Sequence, residues 1–416
     1  NKQGLTIDTT PAADDPAVVF RTKRYRLLRQ VYKEHGDTSA MRSGTSPISR
    51  SPSGRRGSAL RDANILHVHV NRATVFEDTF KIFNFLSGQD LCRRSKVHFE
   101  GEPGIDSGGL TKDWYLALSR TFTAMDRELF RPIAADTGEL ELNADSDGTD
   151  EDTLEKFKFV GKCIAKAIYD RQNLVLPMAP VFYKILRGLP CGLDDLEVID
   201  PAMHKSLQWM LDNSVEGVLF EKFSVAQMIN GQEEEVALCE GGLSMEVTDE
   251  NKEEYVGLMA SWRVQFGVFA QMEALMDGIS TLIPVEALED FSEKEIELLI
   301  NGKKEVDVDE IRAYAIFQGK YHEQHRVVMW LWHAVREFDD HHKALFLKFV
   351  TGATRLPLDG YDPPFNVTEG SDMDAKALPK AHTCFNQLVL PRYQSLEILQ
   401  QKLKYAISNT EGFQMT

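Results

Sequence analysis

Leu378-Pro379-Lys380-Ala381-His382-Thr383-Cys384-Phe385-Asn386-Gln387-Leu388 sets one cysteine among polar residues. A stretch rich in Gly, Pro and Asp (Leu356 to Pro379) comes before it, and an apolar run to Pro391 follows. That punctuation reads as a loop held between ordered segments, where reactive groups concentrate. A thiol there suits exchange of acyl groups between sulfurs, because a thiolate both attacks and leaves readily. In an extended loop His382, two residues away, shares the face of Cys384 and would favour the thiolate or a nearby proton transfer. The loop alone does not separate a reactive thiol from an apolar filler. Cys92, Cys163, Cys191 and Cys239 keep the filler reading, Cys163 most plainly because it sits inside a helical pattern.

Working outward, His322 to Phe338 has helical periodicity with Val328, Leu331, Trp332 and Val335 inward, and Ala344 to Val350 and Ser395 to Ser408 follow the same rule. Phe291 to Gly302 and Thr153 to Arg171 read as helices, the latter with Leu154, Phe157, Ile164 and Ile168 on one face. Glu253 to Asp277 reads as one long apolar helix. Thr74 to Phe85 and Leu110 to Phe122 read as helices, and Lys96 to Phe99 as a short strand entering a Gly-rich turn. The acidic loop Asp145 to Asp152 is not a calcium loop, since Gly148 falls too early and Lys156 stands where the closing Glu belongs. Arg21 to Glu34 reads as a basic helix with Tyr25, Leu28, Val31 and Tyr32 at helical spacing. His35 to Arg61, rich in Ser, Gly and Arg, offers too little apolar surface to offset its ordering entropy and reads as a disordered insert.

The 416 residues carry 47 basic and 64 acidic side chains, a net −17, which argues against nucleic acid as the main partner of the folded part. Arg21 to Arg61 holds eleven Lys or Arg against two acids, +9, leaving −26 for the rest. No run of eighteen apolar residues is present, so no membrane span is expected. The five cysteines form no CxxC pair, which disfavours a zinc site and a disulfide framework and fits reduced thiols. A cytoplasmic location is expected, with the nucleus as a second compartment. Asn1 to Asp15 has neither an initiator Met nor an apolar signal core, which reads as a fragment or processed form lacking upstream domains.

LPKAHTCFNQLVLPRY (378–393) resembles the active-site signature of HECT-type ubiquitin ligases. The resemblance extends to Phe349-Val350-Thr351-Gly352-Ala353-Thr354-Arg355-Leu356-Pro357 and to the glycine turn Phe99-Glu100-Gly101-Glu102-Pro103-Gly104-Ile105-Asp106-Ser107-Gly108-Gly109-Leu110. It also takes in Phe157-Lys158-Phe159-Val160-Gly161-Lys162 and Thr248-Asp249-Glu250-Asn251-Lys252. It runs from about Asn71 to the end, with Arg21–Glu34 as its leading helix.

The resemblance implies a mainly helical α+β, bilobal HECT fold. Its larger lobe would span 63–320 and its smaller lobe 321–416, after a disordered tail (1–20), the leading helix (21–34) and an insert (35–62). Tyr314 to Tyr321, with Gly319, would be the hinge. Cys384 matches the residue that accepts ubiquitin from a ubiquitin-conjugating enzyme as a thioester and passes it to a substrate lysine. His382 and Thr383 flank it. Phe413, fourth from the end, matches an aromatic that supports transfer to lysine, and with it a natural C-terminus. Glu102, Asp106 and Asp113 are candidates to orient or deprotonate the lysine, although the family commonly has Glu where Asp113 stands. A docking subdomain at about 174–246 would receive the conjugating enzyme through Tyr183, Leu186, Met228 and Ile229. A second-ubiquitin surface known in some members uses a Tyr near Pro132, which is absent here. Expected partners are the charged conjugating enzyme, ubiquitin and a protein substrate. Neither a metal nor an organic cofactor is implied.

Two other classes compete. A cysteine hydrolase needs a histidine from another element and an oxyanion hole, and His333, His341 and His342 are available without a supporting pattern. A catalytically dead ubiquitin-binding scaffold is opposed by the intact Cys384 and Phe413. Asp106-Ser107-Gly108-Gly109 mimics a serine-protease string without a histidine motif to match, and no GxxxxGK[ST] loop is present.

Overall fold

The computed structural model describes residues 16–35, 64–102, 109–124, 128–133, 138–229, 232–356, 361 and 363–409; the side chains of 16–18, Met228 and Cys384 are outside this description. The expected insert, Asp106 and Phe413 therefore lie outside the described residues. The chain is an α+β protein, mainly helical, with small sheets. Its strands are β1 (Ile65–Val70), β2 (Arg94–Phe99), β3 (Phe130–Pro132), β4 (Leu140–Leu142), β5 (Ser224–Ile229), β6 (Gln232–Ala237), β7 (Ile316–Gln318), β8 (Asn366–Glu369), β9 (Lys380–His382) and β10 (Gln387–Leu390). β1 and β2 pair parallel, whereas β3–β4 and β5–β6 pair antiparallel. The remaining four form one sheet in the order β7-β8-β10-β9, with only β9 antiparallel to its neighbour.

Two apolar clusters form. The first runs from Phe20 to Ile300 and the second from Val308 to Ile407. Helix Glu151–Tyr169 starts at Asp150, whose carboxylate accepts from the Thr153 N–H at 2.9 Å, and buries Phe157, Val160, Ile164 and Ile168 as its period requires. It crosses helix Phe269–Ser280 at Gly161 and Gly278. A Cβ on Gly161 would overlap the Leu275 carbonyl, and one on Gly278 the Lys158 carbonyl, so the crossing depends on the missing side chains. Lys166, fully buried on the same helix, donates to the Arg93 carbonyl at 2.8 Å and to Asp170 at 2.5 Å. Asp170 in turn accepts from Ser95 (2.9 Å) and Tyr115 (2.8 Å). This satisfied polar knot fixes β2, and so the start of the glycine turn.

The expected long helix at Glu253–Asp277 is instead two. Lys252–Val264 stops at Gln265, a 3-10 turn covers Phe266–Val268, and Phe269–Ser280 resumes. Apolar periodicity continues through the break, but Gly267, the poorest former short of proline, sits inside it. The segment expected as a hinge contains a short strand. Ile316–Gln318 is strand β7, tied to β8 with Phe317 opposite Val367, and Val308 and Ile311 already belong to the second cluster. In the leading helix (Pro16–His35) Phe20, Leu27 and Val31 make the buried stripe and Tyr25 faces solvent. Lys23 anchors that helix to Glu295 at 2.8 Å. No helix among the described residues is long and apolar enough to cross a membrane.

Candidate active site

Cys384 lies in the 3-10 turn Thr383–Phe385, which joins β9 to β10 at the end of the four-stranded sheet. Asn386 closes the turn in the left-handed region (φ 46°, ψ 41°), a conformation that asparagine tolerates better than other non-glycine residues. Its N–H donates to the Thr383 carbonyl at 3.2 Å, and its carbonyl accepts from the Asn366 N–H at 2.9 Å. The side chain is fully buried and works in both directions. Its Nδ2 donates to the Pro363 carbonyl at 2.6 Å, and its Oδ1 accepts from Lys112 Nζ at 3.0 Å. Lys112 belongs to helix Gly109–Phe122, which starts at the end of the glycine turn. The cysteine-bearing turn is therefore pinned from both clusters.

A second motif supports the same turn. Helix Asp340–Thr351 ends at Gly352 in the left-handed region (φ 76°), and a side chain there would come against Thr383. The Phe349–Pro357 string thus supplies a helix cap whose left-handed backbone calls for glycine, set beside Thr383 at ordinary contact distance. Arg355, from the same string, is half-buried, and burial draws it below the ordinary arginine range, with Glu297 and Tyr183 acting against that.

His382 closes β9 opposite Gln387 and is exposed. The expectation that it shares a face with Cys384 rested on an extended chain. The chain changes from strand to 3-10 turn between them, so the two-residue alternation does not carry across.

Glu102 and Asp113 converge on one guanidinium. Arg72 pairs through Nε with Glu102 Oε1, and its NH2 donates to Glu102 Oε2 at 3.0 Å and to Asp113 Oδ2 at 2.5 Å. The guanidinium carbon stands 4.0 Å from the Phe99 ring centroid. The Glu102 hydrogen bond holds Arg72 above its ordinary range, and Asp113 adds to it. The glycine turn is thereby clipped to the start of helix Gly109–Phe122 through β1's exit.

The partner-binding candidates divide. Tyr183 and Leu186 are a correction: helix Pro180–Leu186 turns both into the core, and Tyr183 accepts from Asn301 Nδ2 at 2.9 Å. Their apolar spacing marked packing, not contact surface. Ile229 is half-exposed at the end of β5, and the Met228 side chain is outside the described residues. The apolar surface of this region lies elsewhere. Phe220 is 87% exposed, and Trp209, Val218, Leu243 and Met245 are also exposed. Lys222 bridges Glu246, and Phe223 N–H bonds the Met245 carbonyl at 3.1 Å, which brings the segments carrying Phe220 and Met245 together. A groove of about 550 Å³ opens beside them between Trp209, Met210, Leu219 and Tyr255.

Sequence reasoning missed Lys112, Asn386 and Arg72. Asn386 carried a signal, an asparagine between two strand-like runs. Arg72 and Lys112 carried none, because their partners lie 30 to 274 residues away. Of the competing histidines, His333 is exposed in helix Arg326–Arg336, and His342 bonds Asp339 at 2.7 Å as part of a helix cap.

If Lys112 holds the turn, Lys112→Met leaves the Asn386 carbonyl group without its cation. A hydrogen bond to a charged group is worth about 1.5–3 kcal/mol, so release of an acyl group from the turn to free lysine should slow about tenfold. Single-turnover discharge after loading reads this directly; an unchanged rate means the contact does not matter to the chemistry.

Comparison with known proteins places these features. Residues 116–416 match the family model described as HECT-domain (ubiquitin-transferase). The chain is 40% identical over 354 residues to the E3 ubiquitin-protein ligase RSP5 of Chaetomium thermophilum, covering 83% of this chain and 43% of that protein. It is 37% identical over 353 residues to the probable E3 ubiquitin-protein ligase hulA of Neosartorya fischeri and to the E3 ubiquitin-protein ligase RSP5 of Emericella nidulans, with the same coverage. The chain spans less than half the length of these relatives.

Proposed function

The chain belongs to the HECT-domain (ubiquitin-transferase) family, and from that premise we propose that it is a ubiquitin-protein transferase acting through Cys384. The Cys384 thiolate attacks the carbonyl of the ubiquitin C-terminal glycine carried as a thioester by a conjugating enzyme, whose own thiolate leaves. A substrate lysine amine then attacks the new thioester, an isopeptide bond forms, the amine loses its proton and the Cys384 thiolate departs. The first step exchanges one thioester for another, and the second consumes the thioester to form the more stable amide. The observation that carries this reading is the turn Thr383–Phe385, held at the sheet end by Asn386 and reached by Lys112 from helix Gly109–Phe122.

Transfer between two proteins asks the turn to face two directions in succession, which motivates a bilobal arrangement. The two separate apolar clusters, one spanning Phe20 to Ile300 and the other Val308 to Ile407, support it, with the lobes proposed at 63–320 and 321–416. The Tyr314–Tyr321 segment, with Gly319 in the left-handed region (φ 77°), is proposed as the hinge. Thr383 and His382 flank the nucleophile, and Phe413 is proposed to help place the donor thioester. Glu102, Asp106 and Asp113 are proposed to orient the incoming lysine. The commitment of Glu102 and Asp113 to Arg72 favours positioning over proton removal. The cytoplasm, with the nucleus as second compartment, is the proposed location; Cys92, Cys163, Cys191 and Cys239 are free thiols, as a reducing compartment allows.

For the conjugating enzyme, Phe220, Trp209, Val218, Leu243 and Met245 are proposed as the docking surface, beside the half-exposed Ile229. Exposed aromatics of this kind carry most of the energy at protein interfaces. Phe220→Ala is expected to weaken conjugating-enzyme binding by about 2 kcal/mol, roughly 30-fold, without moving the melting temperature. Titration by interferometry alongside a thermal melt checks this, and unchanged affinity removes Phe220 from the surface.

The function is tested by mixing the chain with charged conjugating enzyme and ubiquitin. A ubiquitin adduct removed by thiol reductant, followed by reductant-resistant conjugates on lysine, is the expected result. Release of fluorophore from a ubiquitin-derived hydrolase substrate with no adduct would instead identify a cysteine hydrolase.

A further inference from the structure

The exposed face of β1 and β2 places three imidazoles together. The parallel register sets His67 opposite Lys96 and His69 opposite His98. Strand alternation sends Leu66, Val68, Val70, Val97 and Phe99 into the core, and therefore His67, His69 and His98 to the other side. The rings lie nearly parallel, with centroids 4.7 Å apart for His69–His98, 5.7 Å for His67–His98 and 6.3 Å for His67–His69. One nitrogen from each ring lies within 4.8 Å of the other two, the one such group of three ligand side chains among the described residues.

We propose that His67, His69 and His98 form a binding site for a divalent transition-metal ion of the zinc class. Zinc bonds imidazole nitrogen at about 2.0–2.1 Å in tetrahedral geometry, which asks for nitrogens about 3.4 Å apart. Binding therefore asks the rings to rotate so that their nitrogens, now within 4.8 Å of one another, converge on the ion. Three neutral nitrogen donors suit zinc, copper and nickel over magnesium or calcium, which prefer oxygen. The rings are exposed or half-exposed, so the fourth position is open to water. Lys96 and Arg94 share this face and oppose a cation, which makes the site weaker than a closed structural one. The sequence shows only H-x-H in one segment and a distant histidine 29 residues on; the strand register creates the third donor.

The test uses the full chain prepared without a histidine tag. Zinc chloride titration by calorimetry at pH 7.5 is expected to give one ion per chain, and cobalt chloride a visible d–d absorption band of tetrahedral intensity. His67→Ala, His69→Ala and His98→Ala should each weaken binding at least tenfold, since loss of mere outer-shell partners already costs about 10–100-fold. His341→Ala, at an exposed histidine of another pair, should change nothing. The single substitutions remove exposed rings, so a metal-free melt should match the parent and separates lost binding from lost folding. Absence of stoichiometric binding, or binding that survives the triple His→Ala variant, overturns the proposal.

Discussion

Cys384→Ala is expected to lower ubiquitin transfer to lysine by at least about 10³-fold, the scale on which removal of a covalent nucleophile acts. The loss should fall on chemistry alone. Asn386, Gly352 and Lys112 shape the turn around residue 384 through contacts that do not involve its side chain. The variant should therefore fold, melt with the parent and bind the conjugating enzyme equally. Transfer rates with saturating charged conjugating enzyme measure the effect. Retention of more than about a tenth of the parent rate would mean that ubiquitin passes from the conjugating enzyme directly to lysine, with this chain as a scaffold.

Gly278→Val should be the most damaging change away from the turn. The helices Glu151–Tyr169 and Phe269–Ser280 approach so closely that even a Cβ on Gly278 meets the Lys158 backbone carbonyl and the Gly161 Cα. Backbone cannot swing aside as a side-chain end can, so the helices must separate and open the first apolar cluster along Phe157, Ile164, Leu275 and Ile279. The expected loss is about 3–5 kcal/mol, enough to leave little soluble folded chain. Gly257→Ala is the matched control. Gly257 lies exposed in helix Lys252–Val264 with open space around it, and alanine there should stabilise by about 0.5–1 kcal/mol. Chemical denaturation midpoints of the two variants settle the comparison, and a Gly278→Val chain as stable as the parent would refute the close crossing.

The sequence showed helices wherever one face alone is apolar, because burial on one side leaves a period. Helices Glu151–Tyr169, Arg326–Arg336 and Leu396–Ser408 are of that kind. It hid the break at Gln265–Val268, where both flanking helices are deeply packed and the apolar pattern runs on. It also could not tell a core tyrosine from a contact one. Tyr183 looks identical in sequence whether its hydroxyl meets Asn301 or a partner, and only the packing of helix Pro180–Leu186 decides. The ordered motifs were legible as a set, yet their physical reason was not. Gly352 lies beside Thr383, and Lys112, two residues past the glycine-turn string, reaches Asn386 across 274 residues, so segments far apart in sequence meet around one turn.

The most direct measurement is to substitute Cys384→Ser, supply charged conjugating enzyme and map the adduct by mass spectrometry. A serine oxygen in place of sulfur forms an ester that lysine displaces slowly, so the intermediate accumulates. The account predicts one ubiquitin joined through its C-terminal glycine to residue 384, resistant to thiol reductant and cleaved by mild hydroxide. An adduct at any other residue, or the same reductant-sensitive adduct in Cys384→Ala as in the parent, would contradict it.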